Sequence, residues 1–412
     1  MSHSENTYFR GFAWKSIRRN KGRSSFISLT VALAVTVSVW IMVFFQGVNT
    51  HMERAVVDTN TGFFQLQEPN FAKSSDSSRP LPVTEKLSTG LKNSPASHYS
   101  PELVFDGYLV APEGAATLTV IGVDPELHRN VVPITQNLEA GTYFSSPELP
   151  TVVIGKELAR RFNLGLGDSL VVNYQDHLGE LRSEILLIEG IYAFNSKGFQ
   201  SGHVYISQTT WQQLFMNAVR PGTFFNRIVI LAPDLSGAAA FEALARGTGL
   251  AHKTWKNINP EIAVLIDFQV GLMNFCFVII GITIVMTILT PVRMLWQERL
   301  KELRMLKILG LTSARMWKIA FHEIYLMMAL CGSFSIFLVT LVVGINSYTG
   351  IDFGLIKEGE NVERAGIQIP EEVYPILRGE HLVATAVFVV LVLGLSYAWS
   401  IHKTLKIIKL ES

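Results

Sequence analysis

The sequence predicts an α-helical membrane domain of four transmembrane helices, with a large α+β domain inserted between helices 1 and 2. Three observations predict it. Residues 24–46 form a run without one charged side chain, behind a basic cluster of Arg18, Arg19, Lys21 and Arg23. Three further uncharged runs, 268–292, 324–346 and 382–401, fall in the last third of the chain. Between the first and second runs lies the polar stretch 47–267, long enough to build a core of its own.

Each run is long enough to span. A helix rises about 1.5 Å per residue, so about 20 apolar residues cross a hydrocarbon layer of about 30 Å. The first run exceeds the usual hydrophobic segment of a signal peptide, and no small-x-small cleavage pattern closes it. Orientation follows from basic residues in the short segments. Residues 1–23 carry Arg10 and Lys15 besides the cluster above, and 293–323 carry Arg293, Arg299, Lys301, Arg304, Lys307, Arg315 and Lys318. The tail 402–412 adds Lys403, Lys406 and Lys409, whereas 347–381 is acidic, with Asp352, Glu358, Glu360, Glu363, Glu371, Glu372 and Glu380. The positive-inside rule therefore places both termini in the cytoplasm and residues 47–267 and 347–381 outside it. The net charge of +1 averages over these opposed segments. It gives no basic surface of the kind that binds nucleic acid. The two cysteines, Cys276 and Cys331, both fall in predicted spans, so the inserted domain has no disulfide to hold it.

Within that domain short strands alternate with short helices. Val104 to Val110, Leu118 to Val123, Thr151 to Ile154, Ser169 to Tyr174, Glu184 to Glu189, His203 to Ile206 and Arg227 to Leu231 read as strands. Lys156 to Asn163, Thr209 to Met216 and Gly237 to Arg246 read as helices, and the Ser/Pro-rich 72–82 reads as a loop dividing two lobes. No catalytic constellation emerges. The histidines are scattered without HExxH spacing or a cysteine partner, so no metal site is expected. Gly165-Leu166-Gly167-Asp168 lacks the lysine of a phosphate loop and is better explained as the end of a helix. No Walker A motif occurs, so the chain is expected to be no enzyme, with any ATP and Mg bound and hydrolysed by a partner subunit.

Two elements outside the spans carry a pattern. Tyr8, Phe9, Phe12, Ala13 and Ile17 share one helical face, opposite Arg10, Lys15, Arg18 and Lys21, which suits an amphipathic helix on membrane lipid. Residues 297–310 read as a helix closed by Gly310, with charged and apolar side chains interleaved on all faces. A plain surface helix would segregate them. A helix held between a membrane and a docked partner need not.

At these residues the chain resembles a known group. Glu298-Arg299-Leu300-Lys301-Glu302, followed by Leu306-Lys307-Ile308-Leu309-Gly310, is similar to the coupling segment of ABC permeases of the group that includes the lipoprotein-releasing LolC and LolE, the macrolide exporter MacB and FtsX-like proteins. Phe321-His322-Glu323 resembles that group's entry to span three, and 13–21 resembles its N-terminal start. Ile121-Gly122-Val123-Asp124-Pro125-Glu126, 155–160 with Gly167-Asp168, Thr254-Trp255 and Asn259-Pro260 resemble its periplasmic core and the return to span two. Two departures stand out: Glu302-Leu303-Arg304 replaces a common Glu-Ile-Gly, and span three keeps Gly332 without a second glycine of a close-packing pair.

The resemblance implies a multi-pass protein of the bacterial inner membrane. Only about 23 residues precede span one, an arrangement expected to be closer to the lipoprotein-releasing subunits than to exporters with a fused ATPase. Its implied partners are a LolD-like ABC ATPase, a second permease chain (a paralogue or itself), lipoprotein cargo and a periplasmic lipoprotein carrier. Glu298, Arg299, Lys301, Glu302, Leu306 and Gly310 would couple to the ATPase. The function implied is extraction of lipoproteins from the outer leaflet for delivery to the outer membrane, by mechanical transmission to the periplasmic domain. Efflux of the MacB kind and FtsX-like control of cell-wall hydrolases are the alternatives. Trp40, Phe44 and Val48 recur at i, i+4 and i+8 near the external end of span one, with Phe45 beside them. The resemblance implies that they contact the cargo's acyl chains.

Overall fold

The computed structural model describes residues 11, 15, 18–19, 21–71, 80–96, 98–111, 113–145, 149–176, 179–194, 196–216, 222–309, 312–352, 363–364, 367–368, 372–375, 377 and 379–410. Most of the amphipathic helix expected before span one and most of the Ser/Pro-rich loop lie outside them, while Gly11, Lys15, Arg18 and Arg19 are described as helical. Among the described residues four helices are long and apolar enough to cross a membrane, within Ser24–Thr59, Pro260–Met294, Phe321–Thr349 and Gly379–Trp399.

In chain order the helices are α1 (Lys21–Val56), α2 (Glu85–Lys92), α3 (Lys156–Arg161), α4 (Gln208–Met216), α5 (Ala238–Thr248), α6 (Pro260–Ile308), α7 (Ser313–Thr349) and α8 (Gly379–Leu410). The long helices form a compact unit with most of residues 1–49 and 266–412. Its core joins Ile27, Val31 and Val35 of α1 to Ile284 and Val292 of α6, Ile324, Met327 and Cys331 of α7, and Val389, Leu393 and Tyr397 of α8. These recur at the three- and four-residue spacing that lines one helix face. Phe26, Leu33 and Val37 lie on the other side of α1 and are exposed. In water that stripe would be a liability; in lipid it meets solvent of its own kind. Gly332 lies where an added Cβ would come 4.0 Å from Val389 Cγ1, so this glycine of span three faces α8.

One feature of this unit differs from expectation. The segment 297–308 is no separate helix: α6 continues through Pro291 to Ile308. As a polar helical continuation of span one would have it, α1 runs helical to Val56, ten residues beyond the uncharged run that ends at Gln46. Hydroxyls within the spans bond backward along their own helix: Ser38 Oγ to Ala34 O at 2.8 Å, Thr283 Oγ1 to Ile279 O at 2.9 Å, Ser396 Oγ to Val392 O at 2.7 Å. Such a bond meets the donor's need where no water can.

Residues 50–265 belong to one compact unit, not two lobes. Its sheet strands are β1 (Phe64–Gln67), β2 (His98–Ala111), β3 (Gly114–Val123), β4 (Leu138–Gly141), β5 (Thr151–Gly155), β6 (Ser169–Gln175), β7 (Leu181–Tyr192), β8 (His203–Ser207), β9 (Arg227–Leu231) and β10 (Ala251–Thr254). They pair in the order β10-β1-β9-β2-β3-β8-β5-β7-β4, with β6 against β2 and β7. The β3–β8 and β5–β7 pairs are parallel and the others antiparallel. Alternation along β2 sends Leu103 and Phe105 into a core with Leu158, Phe162 and Trp211, and Val104 into a second core with Ile121, Val132 and Tyr205. Asn163, at φ 49°, takes the left-handed position after α3, with Leu164 N–H bonded to Ala159 O at 2.9 Å. The glycines that follow do not cap that helix.

Gly155 closes β5 and precedes α3, and a Cβ there would lie 2.1 Å from the backbone oxygen of Gln200. Backbone cannot yield as a flexible side chain can. Gly155→Ala should therefore destabilise the inserted domain by about 1–3 kcal/mol, read as a lowered midpoint of thermal loss of β-sheet circular dichroism. An unchanged midpoint would mean that the segment 197–202 does not press on β5.

Candidate functional site

The C-terminal half of span one carries the aromatic residues singled out above. Trp40 and Phe44 stack at 5.7 Å between ring centroids, 14° from parallel, and Phe45 meets Phe44 edge-on at 5.5 Å. Their backing is the chain itself. Val43 packs with Val339 and Val343 of α7, with Trp40, Leu377 and Leu382 against that cluster. Val48 is buried, and the three aromatic residues are half-buried. The stripe is thus partly turned inward, leaving one side of the Trp40–Phe44 stack accessible.

Sequence reasoning missed a polar pair on a different face of α1. His381, at the start of α8 and buried, has Nε2 2.7 Å from Oε1 of Gln46 on α1. It borders a cavity of about 250 Å³ between α1, α6 and α8, walled by Val35, Met42, Phe277, Ile280 and Phe388, with Ser38, Asn274, Thr385 and His381 itself as its polar groups. Its shape and lining suit an apolar chain with a polar end, because an apolar wall binds hydrocarbon and a few fixed polar groups orient it. The signal that could have found it is the pair of polar residues, Asn274 and His381, inside or against an uncharged run.

The positions expected to couple to an ATPase, Glu298, Arg299, Lys301, Glu302 and Leu306, belong to α6, whose backbone is helical to Ile308. Their side chains, and Gly310, lie outside the described residues. Described neighbours are informative: Met305, Ile308 and Leu309 are exposed, Ile308 at 86%. They recur at i, i+3 and i+4, a contiguous apolar patch past the end of the uncharged run.

The inserted domain holds a buried polar network instead of a catalytic one. Arg227 on β9 pairs in register with Glu102 on β2, Nε to Oε2 at 2.7 Å, with Glu102 fully buried. His128 Nε2 lies 3.7 Å from Glu102 Oε1, and Tyr143 Oη lies 2.7 Å from His128 Nδ1. Burial, aided by the Arg227 charge, pushes the His128 pKa down to about 3, so its ring is neutral and Nδ1 accepts from the Tyr143 hydroxyl. Burial likewise raises the Glu102 carboxyl, opposed by Arg227, and raises the Tyr143 phenol. Asn226 completes the arrangement by bonding both backbone groups of Val104, at 3.0 and 2.8 Å. Among the described residues no group of His, Cys, Asp or Glu is placed to hold a metal ion.

With this geometry in view, the chain can be compared with known proteins. Residues 24–247 match the MacB-like periplasmic core domain, and the chain belongs to that family. It is accordingly a multi-pass permease component of the MacB/FtsX type of ABC transporter, a class whose working complex includes an ABC ATPase. The periplasmic region of MacB from Actinobacillus actinomycetemcomitans is 16% identical, over 51% of this chain and 95% of that one, at a TM-score of 0.34. The extracellular domain of the noncanonic ABC-type transporter YknZ, from Gram-positive bacteria, is 9% identical over 47% and 98%, at 0.32. A domain of a putative permease from Porphyromonas gingivalis is 15% identical over 40% and 79%, at 0.26. No curated protein matches the chain.

The depressed His128 pKa makes a pH prediction. A histidine that charges at 6.5 when unfolded and at about 3 when folded stabilises the fold above 6.5. That contribution is lost as pH falls through the interval, at about 1.4 kcal/mol per unit. His128→Gln forfeits the Tyr143 contact but also this penalty. The stability gap between wild type and variant should therefore narrow as pH drops from 7 towards 4, measured by urea unfolding at each pH. A gap independent of pH would show that His128 is accessible to protons in the folded domain.

Proposed function

We propose that this chain is the transmembrane subunit of an ATP-driven complex that extracts lipoproteins from the outer leaflet of the inner membrane for delivery to the outer membrane. The observation that supports it most is the cavity between α1, α6 and α8. Its apolar walls and its polar groups Ser38, Asn274, His381 and Thr385 fit an acyl chain with its ester end. Trp40, Phe44, Phe45 and Val48 then form the outer approach for cargo, with both termini in the cytoplasm. The working assembly takes two permease chains, this one with itself or a paralogue, and a LolD-like ATPase that binds ATP and Mg. A periplasmic lipoprotein carrier would receive the released cargo.

Mechanical transmission follows from helix continuity. A helix of 49 residues is roughly 74 Å long, and α6 carries the coupling positions and span two on one rigid element. Movement of a docked ATPase at Glu298, Arg299, Lys301, Glu302 and Leu306, with Gly310 two residues past the helix end, would thus reach the cargo cavity along one helix whose weakest turn is at Pro291. The exposed Met305, Ile308 and Leu309 supply the apolar centre of the docking surface, and the charges around them its rim. A second reading, efflux of the MacB kind, is favoured by the family match itself. In that reading cargo enters from the periplasm and bypasses the membrane cavity.

Two measurements test these roles. A photocrosslinker at Phe44 should capture acylated lipoprotein before ATP is added and lose it afterwards, and one at the exposed Leu33 should capture less. Equal capture at both depths, or none at Phe44, would sink the lipoprotein reading and favour efflux. Separately, Ile308→Asp and Glu302→Lys should each weaken recovery of the ATPase with this chain by about tenfold or more, the effect of losing one central contact. Undiminished recovery and turnover in both variants would place the ATPase elsewhere.

A further inference from the structure

A second cleft, apart from the cargo cavity, lies at the opposite, basic end of α1. It measures about 680 Å³ and is bounded by Arg18 and the start of α1 on one side and by Leu330 and Phe334 of α7 on the other. Ser28 Oγ stands 3.3 Å from Cys331 Sγ, which ties α1 to α7 beside it. We propose that this cleft binds one anionic phospholipid from the leaflet around the basic end of the helices.

The order of its lining residues carries the proposal. Arg18, Lys21, Ser25 and Ser28 follow one another at three, four and three residues, the spacing of a single helix face. Leu29 completes that face, and Arg18 to Leu29 covers roughly 16 Å of helix rise. With Ser24 beside Ser25, the groups from the helix end inward are two cations, three hydroxyls and then hydrocarbon. A phospholipid presents the same sequence of needs. Its phosphate and its glycerol ester carbonyls accept hydrogen bonds only, and its chains need an apolar wall. Arg and Lys donate to phosphate with charge assistance, and a guanidinium can grip two of its oxygens at once. Leu29, Leu330 and Phe334 offer the wall.

The charge balance selects an anionic lipid over other occupants. Among the described residues neither Arg18 nor Lys21 has an ion-pair partner, and no Asp or Glu occurs between residues 6 and 52. Two uncompensated cations favour a lipid of net negative charge over a zwitterionic one. A spanning helix from a second copy would bring no carboxylate, since none of the chain's uncharged runs contains one.

The test uses the full chain in lipid nanodiscs of phosphatidylcholine doped with a photoactivatable lipid, whose labelled peptides are mapped by mass spectrometry. Photoactivatable phosphatidylglycerol should label the peptides around Ser25–Leu29 and Leu330–Phe334 at least about fivefold more than photoactivatable phosphatidylcholine. The double variant R18Q/K21Q should reduce phosphatidylglycerol labelling to the phosphatidylcholine level. Lys15→Gln, outside the lining, should leave it unchanged. Should the double variant fail to fold, Ser25→Trp fills the cleft with both cations in place and should lower labelling equally. Equal labelling by the two lipids, or labelling indifferent to both R18Q/K21Q and Ser25→Trp, would overturn the proposal in favour of unselected boundary lipid. A disulfide between two copies of Ser25→Cys in vesicles would overturn it in favour of a packed helix. None of these outcomes depends on whether the chain moves lipoproteins.

Discussion

Hydrocarbon offers no hydrogen bonds, and that constraint shapes the membrane unit throughout. Backbone groups can enter such a medium only if paired within their own segment, so the chain enters and leaves it as whole helices. The same rule disciplines side chains. Ser38, Thr283 and Ser396 turn their hydroxyls onto carbonyls one turn back. Gln46 and His381 solve the problem across two helices, each supplying what the other lacks. The polar residues that remain, such as Asn274, are therefore informative in proportion to their cost.

The inserted domain faces the reverse condition, with water outside and a dry interior within. Its strands bury both faces over much of their length, which leaves few positions where a charge can reach solvent. Glu102 and Arg227 occupy opposed positions on neighbouring strands and are retained only as a pair, with His128 neutral against them. Removing one member of such a group costs more than replacing the whole with apolar residues, because it strands an uncompensated charge. The network thus locks the β9–β2 register more than it adds net stability, since a one-residue slip would separate Arg227 from Glu102.

Much of this was legible in the sequence because the signals were periodic and long. The uncharged runs stand out at a glance, and β2, β3, β5, β6, β7, β8 and β9 each contain a strand read from alternation or β-branched content. What was missed has physical reasons. β1 reads Phe-Gln-Leu-Gln and is buried on both faces, so its glutamines disguise an interior strand; Gln67 Nε2 bonds Gln65 Oε1 at 2.8 Å. β10, Ala-His-Lys-Thr, lacks a hydrophobic pattern because every residue is half-buried. α2 announces itself only through a Thr84 cap on the Leu87 N–H and two buried leucines. The site was less legible than the fold. A stripe at i, i+4, i+8 marks a face without saying what the face meets, and only three-dimensional packing reveals that Trp40 rests against the cluster of Val43, Val339 and Val343. His381 sits one residue before an uncharged run, where a sequence reader counts it as flank.

The continuity of α6 alters how a coupling segment should be understood. Read as a separate helix ended by Gly310, residues 297–310 would pass movement to span two through a joint, and a joint dissipates rotation. As the last turns of one helix they cannot move without moving Phe277 and Ile280, some twenty to thirty residues earlier on the same rod. Pro291 is the single position inside that rod where a backbone donor is missing. A proline weakens one turn without breaking the helix, so bending under load would concentrate there, between the coupling positions and the cavity. Tilt about Pro291 would change the separation of Phe277 from Val35 and Phe388, the facing walls of the cavity. A cavity walled by three helices, one of them driven from its far end, can be squeezed without opening a polar path through the membrane. Under the function proposed above, that motion would expel an amphiphile back to the side from which it entered.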